Sequence, residues 1–308
     1  MTFLKRDHSM RLARAFAGLA LLTGLTGCVE IPAPPESNFN RGVEAYDAGK
    51  TAEAIRYYKL ELSRNPDDHF ARYNLAVAYQ DQEKYEEAAE QYRMVLKNHE
   101  DTNSRINLAT ILYAKGQAKE AFDQLRLAAE KNRDDPNPYS VLGHYLEEEG
   151  KHAEALQAYL QAIAIDPEHA ETYYRKGRLE RKMGRPDPAE DSLVKAIELD
   201  DEQPHYAELL ADHYLKLDNP MGAIDMLERV SVLEPDRAEV FIRLGDLYRK
   251  QGYNREAANR YWSALGIEPD NAYAHRMLKE LFEHLAVEER KKLDELDRDR
   301  AVAQTPSS

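Results

Sequence analysis

The chain has 308 residues, of which 32% are charged and 9% aromatic, with 14 Gly, 14 Pro, a single Cys and a net charge of -14. This composition excludes a disordered chain, which would lack the aromatics, and a disulfide framework, for which one thiol is insufficient. The first 27 residues carry Lys5, Arg6, Arg11 and Arg14 against Asp7, so the acidity lies in the body, which excludes a sequence-independent nucleic-acid binder needing a basic footprint.

Taken in chain order, Arg11 and Arg14 precede an apolar run over residues 15–25 that is too short to span a bilayer as a helix. Leu25-Thr26-Gly27-Cys28 follows. Charge, apolar run and this tetrapeptide in that order resemble the signal and lipobox of bacterial lipoproteins. The resemblance implies cleavage before Cys28 and acylation of its thiol and new amino group, with residues 1–27 as the signal peptide. Translation from Met10 is an alternative start, since it directly precedes the basic pair. Several acyl chains anchor stably where one is marginal. Val29, where Asp would retain an enteric-type lipoprotein in the inner membrane, leans toward the outer membrane. Pro32, Pro34 and Pro35 make residues 28–38 a lipidated Cys on an extended tether.

The body is periodic. Pro235 and Pro269 are 34 residues apart, and Pro167 precedes Pro235 by twice that. The seventh and fourth copies align residue by residue: Phe241, Leu244, Gly245, Gly252, Ala257, Tyr261, Ala264 and Pro269 against Tyr139, Leu142, Gly143, Gly150, Ala155, Tyr159, Ala162 and Pro167. Seven copies fit in phase over residues 39–270, with a single 33-residue step between the second and third and Glu100 where the second copy should carry Pro. This period and this order of aromatic, Leu-Gly, Ala, aromatic and Pro resemble the tetratricopeptide repeat.

The resemblance implies an all-α superhelix (an α-solenoid) of seven helical hairpins, each an antiparallel pair of helices A and B. Small residues at the eighth and twentieth positions, such as Gly143 and Ala155, allow the two backbones to approach. Gly49, Gly116, Gly150, Gly184 and Gly252 should end helix A in a left-handed turn. Pro186 and Pro220 fall at the start of helix B, where Pro is tolerated. Residues 271–300 supply a capping helix, with Tyr273, Met277, Leu278, Leu281, Phe282 and Leu285 as its apolar stripe, and residues 301–308 a frayed, disordered tail.

In this family the A helices line the concave face. The groove positions of repeats 1–3 hold Phe39, Val43, Tyr46, Phe70, Tyr73, Val77, Ile106 and Tyr113. They read as a grip for an apolar or amphipathic peptide, or as residues packed against neighbouring helices. Repeats 4–7 are charged there, with Arg178, Arg181, Lys182, Arg249 and Lys250. These read as ion pairs between adjacent A helices, or as a site for a charged peptide end. Tyr58, Tyr79, Tyr92, Tyr159, Tyr214, Tyr248 and Tyr261 are core positions.

The sequence has no HExxH, no glycine-rich phosphate loop and no GxSxG elbow, so an enzyme is not expected and no cofactor is implied. His205, Glu208 and Asp212 share a helix face but lack a second His or a Cys, so no metal site is expected. The expected partners are a protein or peptide and, through the lipid, the membrane; nucleic acid is not among them. By resemblance, two groups of repeat-bearing lipoproteins share this layout in the envelope. One is the pilotins that assist assembly of pilus secretins at the outer membrane. The other is the adaptors for periplasmic proteases or peptidoglycan hydrolases.

Overall fold

The structure is a computed structural model and describes residues 37–303. The expected signal, Cys28 and residues 28–36 of the tether lie outside the described residues, as do residues 304–308.

Among the described residues the chain forms helical hairpins in tandem, closed by a long final helix. Hairpin 1 pairs α1 (Asn38–Asp47) with α2 (Thr51–Arg64), and hairpin 2 pairs α3 (His69–Asp81) with α4 (Tyr85–Asn98). The next three pair α5 (Thr102–Ala114) with α6 (Ala118–Lys131), α7 (Asn137–Glu148) with α8 (His152–Ile165), and α9 (Ala170–Lys182) with α10 (Pro186–Leu199). The last two pair α11 (Pro204–Lys216) with α12 (Pro220–Leu233) and α13 (Ala238–Lys250) with α14 (Asn254–Ile267). The final helix, α15 (Ala272–Ala303), runs three residues beyond the 271–300 expected of the cap. Each helix packs on its sequence neighbours, and A helices of successive hairpins touch along one face. This nearest-neighbour geometry is that of a solenoid. Among the described residues, no helix is long and apolar enough to cross a membrane.

The hairpins close because one small residue on helix A sits under one large residue on helix B. A Cβ on Gly143 would lie 2.6 Å from the Tyr159 ring, and one on Gly245 equally close to Tyr261. Ala54, Ala88, Ala121, Ala155, Ala189, Ala223 and Ala257, all at the twentieth position, are fully buried. So are Tyr58, Tyr92, Leu125, Tyr159, Leu193, Leu227 and Tyr261, four residues further on. Each hairpin therefore seats a large side chain against a position that only Gly or Ala leaves open, at native packing density.

The turn between the helices needs a left-handed residue. Five hairpins use Gly there, but Glu83 (φ 58°) and Asp218 (φ 56°) adopt the same conformation in hairpins 2 and 6. An L-residue is strained in that region. Pro186 and Pro220 begin α10 and α12, where no intrahelical N–H donor is lost.

Where Glu100 replaces the usual Pro, its carboxylate is clasped by the buried Arg105, whose Nη2 donates to Oε2 at 2.6 Å and whose Nη1 donates to Gln124 at 2.9 Å. Arg72, 33 residues earlier, makes the same pattern with Gln91 and the Pro66 carbonyl. The clasp at Glu100 thus ties the loop between hairpins 2 and 3 to both helices of hairpin 3. At the other end, Ala274, Met277, Leu278 and Leu281 of α15 are buried with Tyr261 and Leu265, while Phe282 of the expected stripe is 49% exposed.

Candidate functional site

The A helices α1, α3, α5, α7, α9, α11 and α13 lie side by side, so residues one repeat apart meet along the groove wall. Much of what faces the groove is spent on those meetings. Of the eight apolar groove residues, Phe39, Val43, Tyr46, Tyr73, Val77, Ile106 and Tyr113 are half-buried and packed against one continuous core that runs from α1 into α9. Phe70 is the exception: its side chain is 61% exposed at the start of α3. It lies on His69, ring centroids 4.1 Å apart, and His69 in turn lies 4.0 Å from His99.

The tyrosines act as latches between hairpins. The Tyr46 hydroxyl donates to Asp81 on the next A helix. Tyr113 stacks on Tyr145 with centroids 4.1 Å apart, and the Tyr145 hydroxyl donates to Thr110 at 2.9 Å. Asn107 donates to Tyr92 at 3.1 Å and to Tyr73 at 3.4 Å. Burial pushes the phenols of Tyr46, Tyr58 and Tyr92 upward, and raises Tyr113 to about 12 with help from Glu148 and Glu149. They are neutral hydrogen-bonding groups over the whole physiological range. The Tyr58 hydroxyl, fully enclosed beneath α1, has no protein partner among the described residues.

The charged half is latched by ions. Arg178 Nη2 donates to Glu147 at 3.0 Å, and Tyr159 donates to the same carboxylate oxygen from below at 3.3 Å. Arg175 bonds Glu171 on its own helix at 2.6 Å and Ser140 on the preceding A helix at 3.2 Å. Tyr206 reaches back to Glu171 at 3.1 Å. Burial alone would raise the Glu171 carboxyl, but His205, Arg175 and Tyr206 outweigh it and hold it at about 2. Asp246 accepts from Tyr261 at 2.6 Å and from Tyr273 of α15 at 2.9 Å, tying the cap to the last hairpin.

Of the cations singled out in the sequence, Arg178 is thus committed to a neighbouring A helix. Arg181 and Arg249 are half-buried, with Arg249 Nε enclosed and unpaired among the described residues, while Lys182 and Lys250 are exposed. The structure does not bring His205, Glu208 and Asp212 to one point. His205 faces Glu171, Glu208 pairs with Arg237 at 2.8 Å and Asp212 with Arg243 at 2.6 Å. Among the described residues, no group of His, Cys, Asp and Glu could hold a metal ion.

Sequence reasoning missed the partners Glu147, Asn107 and Arg175 as groove-wall residues, whereas Asp246 falls at a groove position of the seventh repeat and is there the acceptor for Tyr261 and Tyr273. The signal was present as polar residues on one A helix and complementary ones roughly one repeat away, as with Glu147 and Arg178.

Models of the tetratricopeptide repeat match residues 39–102, 73–137 and 146–212. No curated protein matches the chain. Similar solved structures include a tetratricopeptide repeat protein from Parabacteroides merdae, 18% identical over 80% of this chain and 98% of that one, with a TM-score of 0.53. Another is the C-terminal part of a repeat-containing protein from Cytophaga hutchinsonii, 18% identical over 78% and 99%, with a TM-score of 0.57. A third is Pseudomonas aeruginosa pilF, 19% identical over 72% and 99%, with a TM-score of 0.54. At these identities the likeness is one of fold. The superhelix of hairpins is a protein–protein interaction scaffold, an architecture that generally binds rather than catalyses.

Proposed function

Because the chain belongs to the tetratricopeptide-repeat family, we propose that it is a scaffold of the bacterial cell envelope, anchored through Cys28 and facing the periplasm from the outer membrane. Its membrane-proximal groove captures an apolar or amphipathic segment of a partner during assembly of a pilus or secretion complex. The observation that carries the groove reading is Phe70. It is a large rigid ring left 61% exposed at a groove position, where its apolar neighbours are drawn into the wall. Aromatic anchors of this kind dominate protein interfaces, and a stable fold gains nothing from leaving one in water. The anchor reading rests on Leu25-Thr26-Gly27-Cys28 after a short apolar run, and the pilus reading on that leader followed by a string of repeats.

The test is a crosslinked pull-down from membranes with the wild type, Cys28→Ala and Phe70→Ser. Cys28→Ala moves the protein out of the membrane fraction, and Phe70→Ser loses the partner while keeping the melting temperature. Retention of the partner by Phe70→Ser sinks the groove reading. A deletion strain then separates the two envelope roles. Loss of secretin multimers supports pilus assembly, whereas accumulated protease substrates or altered wall cleavage replaces it with the adaptor role.

A further inference from the structure

Helix α15 is longer than the solenoid needs. It packs mainly on α14, and its buried residues end at Leu281. Residues 286–303 carry it about 27 Å further, with their described side chains exposed. Helices in proteins owe most of their stability to a covered apolar face. Phe282, Leu293 and Leu296 are 49%, 56% and 55% exposed, and with Leu285 and Ala286 they lie within about 100° of arc. Phe282 stands one repeat after Tyr248, which is half-buried against the core formed with α14, the helix B of its own hairpin. The chain extends α15 here instead of turning back into a helix B, so the matching side of α15 is uncovered.

We infer that this face is a self-association surface, on which a second copy of the chain lays its own α15 antiparallel. The occupant follows from charge complementarity. With the pair centred between residues 287 and 288, Phe282 meets Leu293 of the second copy, the Lys292 stem covers Leu285, and Glu283 meets Arg290, each twice by symmetry. Glu289 falls opposite Ala286, whose small side chain leaves it room to keep Lys292 of its own helix, 4.0 Å away. Neighbouring registers lose this match. One heptad outward sets Arg290 on Arg290 and Lys292 on Lys292, and one heptad inward sets Glu283 on Glu283 and Arg276 on Arg290. A parallel pair sets Glu289 on Glu289 and crowds both solenoids at one end. The antiparallel pair leaves the solenoids at opposite ends.

The experiment follows mass against concentration by sedimentation equilibrium, using the full chain with Cys28→Ala, which leaves no thiol. A monomer–dimer equilibrium is expected. Glu283→Lys and Arg290→Glu should each weaken it about fivefold or more, and mixing the two variants should restore it, because the mixed dimer pairs opposite charges at both contacts. Misfolding cannot produce that rescue. Leu293→Ser/Leu296→Ser should abolish association with the hairpins still folded, since both leucines are exposed in the single chain. Oxidation should join Phe282→Cys chains to Leu293→Cys chains and not to each other, and in cells these cysteines should give a product of twice the chain mass. Phe70→Ser should leave association unchanged, so the groove reading and this one fail separately. A chain that stays monomeric, association indifferent to the charge reversals or lost in Phe70→Ser, disulfides between two Phe282→Cys chains, or crosslinks in cells only to another protein overturn the proposal.

Discussion

Arg178 decides between two readings of the charged groove, and removing it has a computable consequence. The Glu147 side chain is 7% exposed and that of Arg178 is 25% exposed, their contact is 3.0 Å, and Tyr159 donates to the same carboxylate oxygen. Breaking a buried pair from one side costs about 3–5 kcal/mol, because it strands the other charge. A quarter-exposed Arg178 leaves a path for water, so Arg178→Met should cost about 2–3 kcal/mol. Replacing both partners by apolar residues of similar volume is often neutral, so Glu147→Leu/Arg178→Met should recover most of that loss, down to the stranded Tyr159 hydroxyl. Urea denaturation followed by circular dichroism gives the three stabilities, and hydrogen exchange at α7 and α9 shows whether the loss is local, as nearest-neighbour coupling in a solenoid requires. If Arg178→Met falls within about 0.5 kcal/mol of wild type, or the double variant is no better than the single one, the latch reading fails and Arg178 is free for a ligand.

Three further outcomes follow from the same geometry. Glu83→Gly should raise stability by about 0.5–1 kcal/mol, and Asp218→Gly by less because Asp tolerates the left-handed region better; a lower melting temperature for Glu83→Gly would contradict the strain argument. Glu171 sits at about 2 when folded against an ordinary 4.5, so its contribution is present above about pH 4.5 and is lost as pH falls toward 2. It amounts to about 2–3 kcal/mol after allowance for a side chain 29% exposed, and acid unfolding of Glu171→Gln should be correspondingly flatter. Tyr73→Ser should lower stability by about 2 kcal/mol or more, since its ring packs on the core and lies 5.9 Å from Tyr92, whereas Phe70→Ser should leave the melting temperature within about 2 °C of wild type.

The hairpin architecture was legible from spacing because its determinants are local. A Gly or Ala at one position, Ala at another and Tyr or Leu four residues later meet within a single hairpin, so a linear period of 34 encodes their contact directly. The turn glycines belong to the same class, and hairpins 2 and 6 deviate only in tolerating strain at Glu83 and Asp218. The capping helix was likewise readable from its first turns, where Met277, Leu278 and Leu281 recur at helical spacing. Phe282 of the same apolar stripe stays exposed because one helix on one neighbour covers a narrower stripe than the apolar residues occupy.

Which groove-facing side chains remain free was decided only by the tertiary structure. Phe70 and Tyr73 look alike in the sequence, three residues apart on one helix, yet one stands in solvent and the other packs on the core. Arg178 and Lys182 are a single turn apart, yet one is held by Glu147 and the other is exposed. The difference arises because helix A has neighbours on both flanks, and the stacking of one hairpin on the next determines which angular positions point at a neighbour and which at water. Residue type and period place a side chain on the groove side of its helix, and only packing against residues roughly one repeat away determines whether it is spent as a latch or left to bind.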